Sequence, residues 1–111
     1  MFNEVIIIGR LANKPILRAT QNGTLMATAT ISVERPYRNN LGVREVDYVN
    51  CLFWKGLASQ VIDSCDVGTF IGIKGRIQSR SYEDGDNKTF STFEVRVEHV
   101  SFVENYMLGL K

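Results

Sequence analysis

The sequence predicts an all-β domain: a five-stranded barrel with one short helix between the third and fourth strands. Three observations predict it. Five runs rich in β-branched and aromatic residues stand apart along the 111 residues. One further segment carries apolar residues at helical spacing instead. Asn, Asp and Gly clusters punctuate the chain where turns are needed.

The first run, Phe2 to Leu11, holds Val5, Ile6, Ile7 and Ile8, apolar on both faces. A strand of a small barrel needs only one apolar face, so the other is expected to be covered. Another part of the chain could cover it, and so could a second subunit, since an edge strand invites pairing. Phe2, Val5, Ile6, Ile7 and Ile8 are the candidate interface residues. The second run, Leu25 to Arg35, alternates with period two. Leu25, Ala27, Ala29, Ile31 and Val33 share one face, and Thr28, Thr30, Ser32 and Glu34 the other. That is the mark of a half-buried strand.

Val46 to Lys55 is the third run. Val49, Cys51 and Phe53 make its core side, which turns Val46, Tyr48, Asn50, Leu52 and Trp54 outward. The helix follows: Leu57, Val61 and Cys65 lie at i, i+4 and i+8, with Ala58 and Ile62 beside them. Gly68 is placed to end the helix or turn the chain into the next strand. The fourth run is Thr69 to Ser79, with Thr69, Ile71, Ile73 and Ile77 on the core side. The fifth is Phe90 to Phe102. Its apolar positions are odd at Phe93, Val95 and Val97, then even at Val100 and Phe102. One extra residue near Glu98–His99 would cause that slip, so a bulge is expected there. Turns are expected at Asn22-Gly23, at Asn39 to Gly42 and at Glu83 to Asn87.

Strand, strand, strand, helix, strand, strand is the layout of the OB-fold, a partly open Greek-key barrel. Residues 1–105 are expected to form this domain, and residues 106–111 a short C-terminal end. With 44% apolar and 23% charged residues the chain has an ordinary globular balance. No apolar run approaches a membrane span, and no membrane partner is expected. The N-terminus lacks a basic leader and a small-residue cleavage site. Cys51 and Cys65 have no second pair of cysteines, so a zinc cage or disulfide framework is not suggested. They read as reduced core thiols of a cytoplasmic protein.

The net charge of +1 is not that of a strongly basic protein. Its distribution is uneven: residues 1–82 hold ten Lys/Arg against six Asp/Glu, and residues 83–111 hold three against six. A mildly basic body can still present a basic groove, although a mixed solvated surface gives the same arithmetic.

The side chains are more informative. Tyr48 and Trp54, six residues apart on one face of a strand, stand about 20 Å from each other. Two outward aromatics are either packed under a loop or a neighbouring subunit, or they are platforms on which bases stack. In the fourth run Lys74, Arg76, Gln78, Arg80 and Tyr82 share one parity, a basic stripe ending in an aromatic. Tyr37 is bracketed by Arg35 and Arg38. Arg10, Lys14 and Arg18 lie at and after the end of the first strand, and Lys55 follows Trp54. Cations interleaved with aromatics suit a single strand of nucleic acid. The charges neutralise phosphates, and the rings take bases by their π faces without reading sequence.

Several segments resemble bacterial single-stranded DNA-binding proteins. They are Met1 to Leu11, Pro15 to Arg18, Asp47 to Lys55, and Gly75 to Tyr82. The similarity runs from Phe2 to about Phe102 and is nearest the short forms of Gram-positive bacteria. The resemblance implies an OB-fold that assembles as a homotetramer and binds single-stranded DNA with little sequence preference in replication, recombination or repair. It implies stacking roles for Tyr37, Tyr48, Trp54 and Tyr82. The family's typical tail, rich in Gly, Pro and Gln with an acidic tip, has no counterpart in Tyr106 to Lys111. Recruitment of replication or repair enzymes through such a tip is therefore not carried over to these residues by the resemblance.

An enzyme is not expected. His99 is the sole histidine, without a Cys, Ser or paired carboxylate at a suggestive spacing. Glu83 to Asp86 lacks the full ligand spacing of a calcium loop and reads as a solvated hairpin tip. No Walker loop is present, and no cofactor or metal is expected. The rival to nucleic-acid binding is a non-catalytic OB-fold assembly module that uses the aromatic face for protein contacts.

Overall fold

The structure, a computed structural model, describes residues 1–102. The expected C-terminal end at 106–111 lies outside the described residues, as do residues 103–105. The elements follow in the order β1 (Val5–Leu11), β2 (Ile16–Ala19), β3 (Leu25–Glu34), β4 (Val46–Trp54), α1 (Gly56–Ser64), β5 (Phe70–Glu83) and β6 (Thr89–Ser101).

The pairings run β1-β5-β6-β4-β3-β2, and β1 also pairs with β3. That last contact, Arg10 with Ser32 and Leu11 with Ile31, closes a five-stranded ring. β2 lies outside it as a sixth strand, antiparallel to β3 from Ile16–Thr28 to Ala19–Leu25. β2 is not among the five expected runs. All four of its residues are exposed, so no alternation marks it. The turn that creates it was visible: Gly23 sits at φ 82°, and Thr20 and Thr24 close the loop by backbone hydrogen bonds.

The alternation of β3 has the expected result. Ala27, Ala29 and Ile31 are buried, and they meet Leu11, Phe53, Ile71, Ile73, Val95 and Val97 in the barrel core. The helix closes this core from one end, with Ala58 and Val61 fully buried and Leu57 and Ile62 packed beside them. Cys51 and Cys65 are buried free thiols. Gly68, at φ 85°, turns the chain toward β5 after the helix has ended, and its N–H donates to the Leu11 carbonyl.

The slip in β6 is a bulge. Lys74 faces His99, but Gly75 faces Val97, so Glu98 is the extra residue. The backbones approach so closely there that a Cβ on Gly75 would lie 2.1 Å from the Arg96 carbonyl oxygen. Only glycine fits.

Three assignments of facing are corrected. Ile77 and Phe93 have core parity but are exposed, because the β5–β6 hairpin runs on past the barrel. Leu52 has outward parity but is buried. In β1 the two faces separate: Val5 and Ile7 pack toward the core, whereas Ile6 and Ile8 are 73% and 53% exposed. Asn3 extends the β1–β5 pairing with its side chain. Its amide donates to the Ile77 carbonyl at 2.9 Å and accepts from the Ile77 N–H at 3.0 Å.

Candidate nucleic-acid interface

β4 and β6 are parallel partners only at Cys51–Val95 and Leu52–Arg96. On the Val46 side of that contact they diverge, because β4 stays with β3 while β6 follows β5 out along the hairpin. The divergence leaves a cleft of about 450 Å³. Thr28, Thr30, Asn50 and Leu52 of the β3–β4 outer face form one wall. Arg80, Tyr82, Thr92 and Glu94 of the hairpin form the other.

Tyr82 is exposed and stacks on Phe90, its cross-strand partner, with ring centres 5.5 Å apart and planes at 24°. That contact fixes the ring's attitude and leaves the rest of its surface open. Arg80 leans on Glu94, with Nη2 3.4 Å from Oε1. The Gln78 amide donates to the same oxygen at 3.0 Å. Glu94 is a buried carboxylate in this cleft, held by a cation and an amide as burial requires.

Trp54 ends β4 half-buried. The Arg96 guanidinium lies over its ring, 5.5 Å from the centre. Arg76 stands directly opposite Arg96 across the β5–β6 ladder. Two exposed arginines side by side repel each other, and an anion between them would relieve the repulsion. Tyr48, on the same face of the strand as Asn50 and Leu52, is 69% exposed. Tyr37 is exposed in the loop after β3. The outward orientation expected of Tyr48 is therefore present, and that of Trp54 is partial.

The remaining cations divide. Lys14, Arg18, Lys55 and Arg38 are exposed, and Arg38 donates to the Gly42 carbonyl at 2.8 Å. Lys55 occupies a left-handed backbone position, φ 54°, at the start of the helix. Arg35 is committed within the protein. Its Nε and Nη2 grip both oxygens of Asp47, at 3.1 and 2.9 Å, and Nη1 pairs with Glu45. The paired guanidinium holds the Asp47 carboxyl below its usual range. Arg10 lies over the Phe70 ring at 5.0 Å and donates to the Gly68 carbonyl. Lys74 does not line the cleft. It shares a hollow with Ile6, Ile8 and His99, and its ammonium is 3.6 Å from Glu4.

Sequence reasoning missed Arg96, Glu94, Phe90 and Phe93. The cross-strand register would have found the first three, since Arg96 faces Arg76, Glu94 faces Gln78 and Phe90 faces Tyr82. The register follows from the bulge and the hairpin length together.

The sequence pattern of the single-strand binding protein family matches residues 2–103. The chain belongs to that family. It is 40% identical over 104 residues to the single-stranded DNA-binding protein of Halalkalibacterium halodurans, covering 94% of this chain and 62% of the relative. Identity to single-stranded DNA-binding protein A of Bacillus subtilis is 39%, with 94% and 60% covered. For single-stranded DNA-binding protein 2 of Listeria monocytogenes it is 41%, with 94% and 65% covered. The chain thus spans between 60% and 65% of the length of these three relatives. The cleft of this single-strand binding family member lies wholly within the matched residues.

Proposed function

We propose that this domain, residues 1–105, binds single-stranded DNA without strong sequence preference and protects it in replication, recombination or repair. The observation that carries the reading is the cleft, where Tyr82 and Arg80 of the hairpin face the outer surface of β3–β4. The names of the relatives support it. Bases stack on Tyr37, Tyr48, Trp54 and Tyr82, and phosphates are neutralised chiefly by Arg76, Arg80, Lys14, Arg18, Arg38 and Lys55. A base–aromatic stack contributes about 1–3 kcal/mol, so four supply roughly 4–12 kcal/mol before the strand's ordering cost. With a net charge of +1, stacking carries a larger share than in a strongly basic binder.

The activity is binding without catalysis, in the cytoplasm, where the buried free thiols Cys51 and Cys65 stay reduced. Among the described residues no helix is long and apolar enough to cross a membrane. The protein acts as a homotetramer. Exposed Ile6 and Ile8 on one strand face, beside the free N-terminal Phe2, support a covering by other copies.

Titration with oligo-dT, following Trp54 emission, tests the reading. Quenching by oligo-dT, and far less by a matched duplex, is the expected result. Absence of binding at low salt would favour the protein-assembly module instead. Sedimentation with and without oligo-dT checks the tetramer, and a monomer at micromolar concentration would reject it.

A further inference from the structure

A second hollow, of about 350 Å³, opens where β4 and β6 diverge. Tyr48 and Phe93 line it together with Ile77, Asn50, Thr92 and Glu94. The last three also line the first cleft, so the two hollows adjoin. Phe93 is 70% exposed, about as open as Tyr48. A phenyl ring that far out on a hairpin does nothing for the core, and its strand neighbour across the ladder is Ser79, which offers it no apolar cover. Nor is Phe93 in a ring contact of the kind that holds Tyr82 on Phe90.

We propose that Phe93 is a further base-stacking platform, and that the hollow between it and Tyr48 takes a single nucleobase from the bound strand. The chemistry of the lining suits that occupant. A nucleobase is apolar on its two faces and polar around its edge. The hollow supplies rings and Ile77 for the faces. Asn50, Thr92 and Glu94 add polar lining for the edge. The Asn50 Oδ1 accepts from the Thr30 hydroxyl at 3.1 Å, so the group that Asn50 offers a base is its NH₂ donor. The inference rests on the reading of the first cleft as a single-stranded DNA site and extends it along the hairpin.

The test uses the full chain and a dye-labelled oligo-dT, with affinity read by fluorescence anisotropy. Phe93→Ala is expected to weaken binding about 5- to 100-fold, the loss of one stack. Phe93→Leu keeps apolar volume without the ring and should lose nearly as much, while Phe93→Tyr should bind as the parent does. Circular dichroism and the unfolding midpoint check that each variant is folded. Photocrosslinking to an oligonucleotide carrying 5-iodouracil should label Phe93 itself, a result that mere loss of stability does not mimic. Parent-like affinity of Phe93→Ala and Phe93→Leu would overturn the proposal. If Tyr82→Ala loses affinity in the same assay, the single-stranded DNA reading survives that failure. If the parent protein does not bind oligo-dT, both fall. Dissociation of the assembly by Phe93→Ala, at unchanged DNA affinity per subunit, would give the hollow to a second copy of the chain and also overturn it.

Discussion

The Arg96 guanidinium lies over the indole of Trp54, 5.5 Å from the ring centre. The two residues come from strands that pair over only two positions, so the contact depends on the parallel β4–β6 register. It places a cation on the ring that the sequence marks as a stacking platform. Arg76 lies beside Arg96 across the ladder, and neither has an ion-pair partner among the described residues.

A phosphate beside Trp54 would draw Arg96 toward the backbone of a bound strand and clear the ring for a base. Arg96→Ala is therefore expected to lower the slope of log affinity against log salt by about one phosphate contact. Its Trp54 emission should also shift to the red, because the ring loses its cover. Salt titrations with oligo-dT and emission spectra of the free protein check both. An unchanged slope and an unchanged spectrum would remove Arg96 from the site.

Arg35 and Arg76 should behave differently, although the sequence treats both as phosphate ligands. Arg35 has its fork closed on Asp47 and its remaining amino group on Glu45. A phosphate would have to displace two carboxylates from it. Arg76 is exposed, and its nearest charged neighbour in the ladder is another cation. Arg76→Ala should lower the salt slope by about one, and Arg35→Ala should leave it nearly as it is. Equal slopes for the two variants would show that the Arg35 pairings open on binding. The surface location of the Arg35 cluster predicts a small effect on stability as well.

Period-two patterning made most of the barrel legible. It located β1 and β3 to β6 and the side of β4 that carries Tyr48, and the parity slip placed the bulge near Glu98–His99. Parity states which side of a strand a residue takes, but not what covers that side. Leu52 points outward and is buried, because the hairpin and β6 lie against that part of β4. Phe93 has core parity and is exposed, because there β6 still belongs to the hairpin beyond the barrel. The cleft lies where strands diverge, and divergence is a property of two registers at once. That is why Tyr82 and Arg80 were visible one at a time, while Glu94 and Arg96 were not visible as their neighbours.

The buried thiols give the fold a dependence on alkaline pH. Cys51 is 2% exposed in the core, and desolvation pushes its pKa from 9.0 up to about 12. Burial raises Cys65 in the same direction. The folded state therefore keeps the Cys51 proton after the unfolded chain has released it. Stability from this source is complete below pH 9 and is lost progressively as pH rises through about 12. The full loss is on the order of 4 kcal/mol. Lysines and tyrosines titrate in the same window, so the comparison is with Cys51→Ala. That variant starts less stable, by the packing it forfeits. Its stability should then fall less steeply than the parent's between pH 8 and 10.5, narrowing the gap by roughly 2 kcal/mol. Urea unfolding followed by Trp54 emission measures it. Parallel pH profiles for the two proteins would mean that the Cys51 thiolate costs no more in the fold than in water.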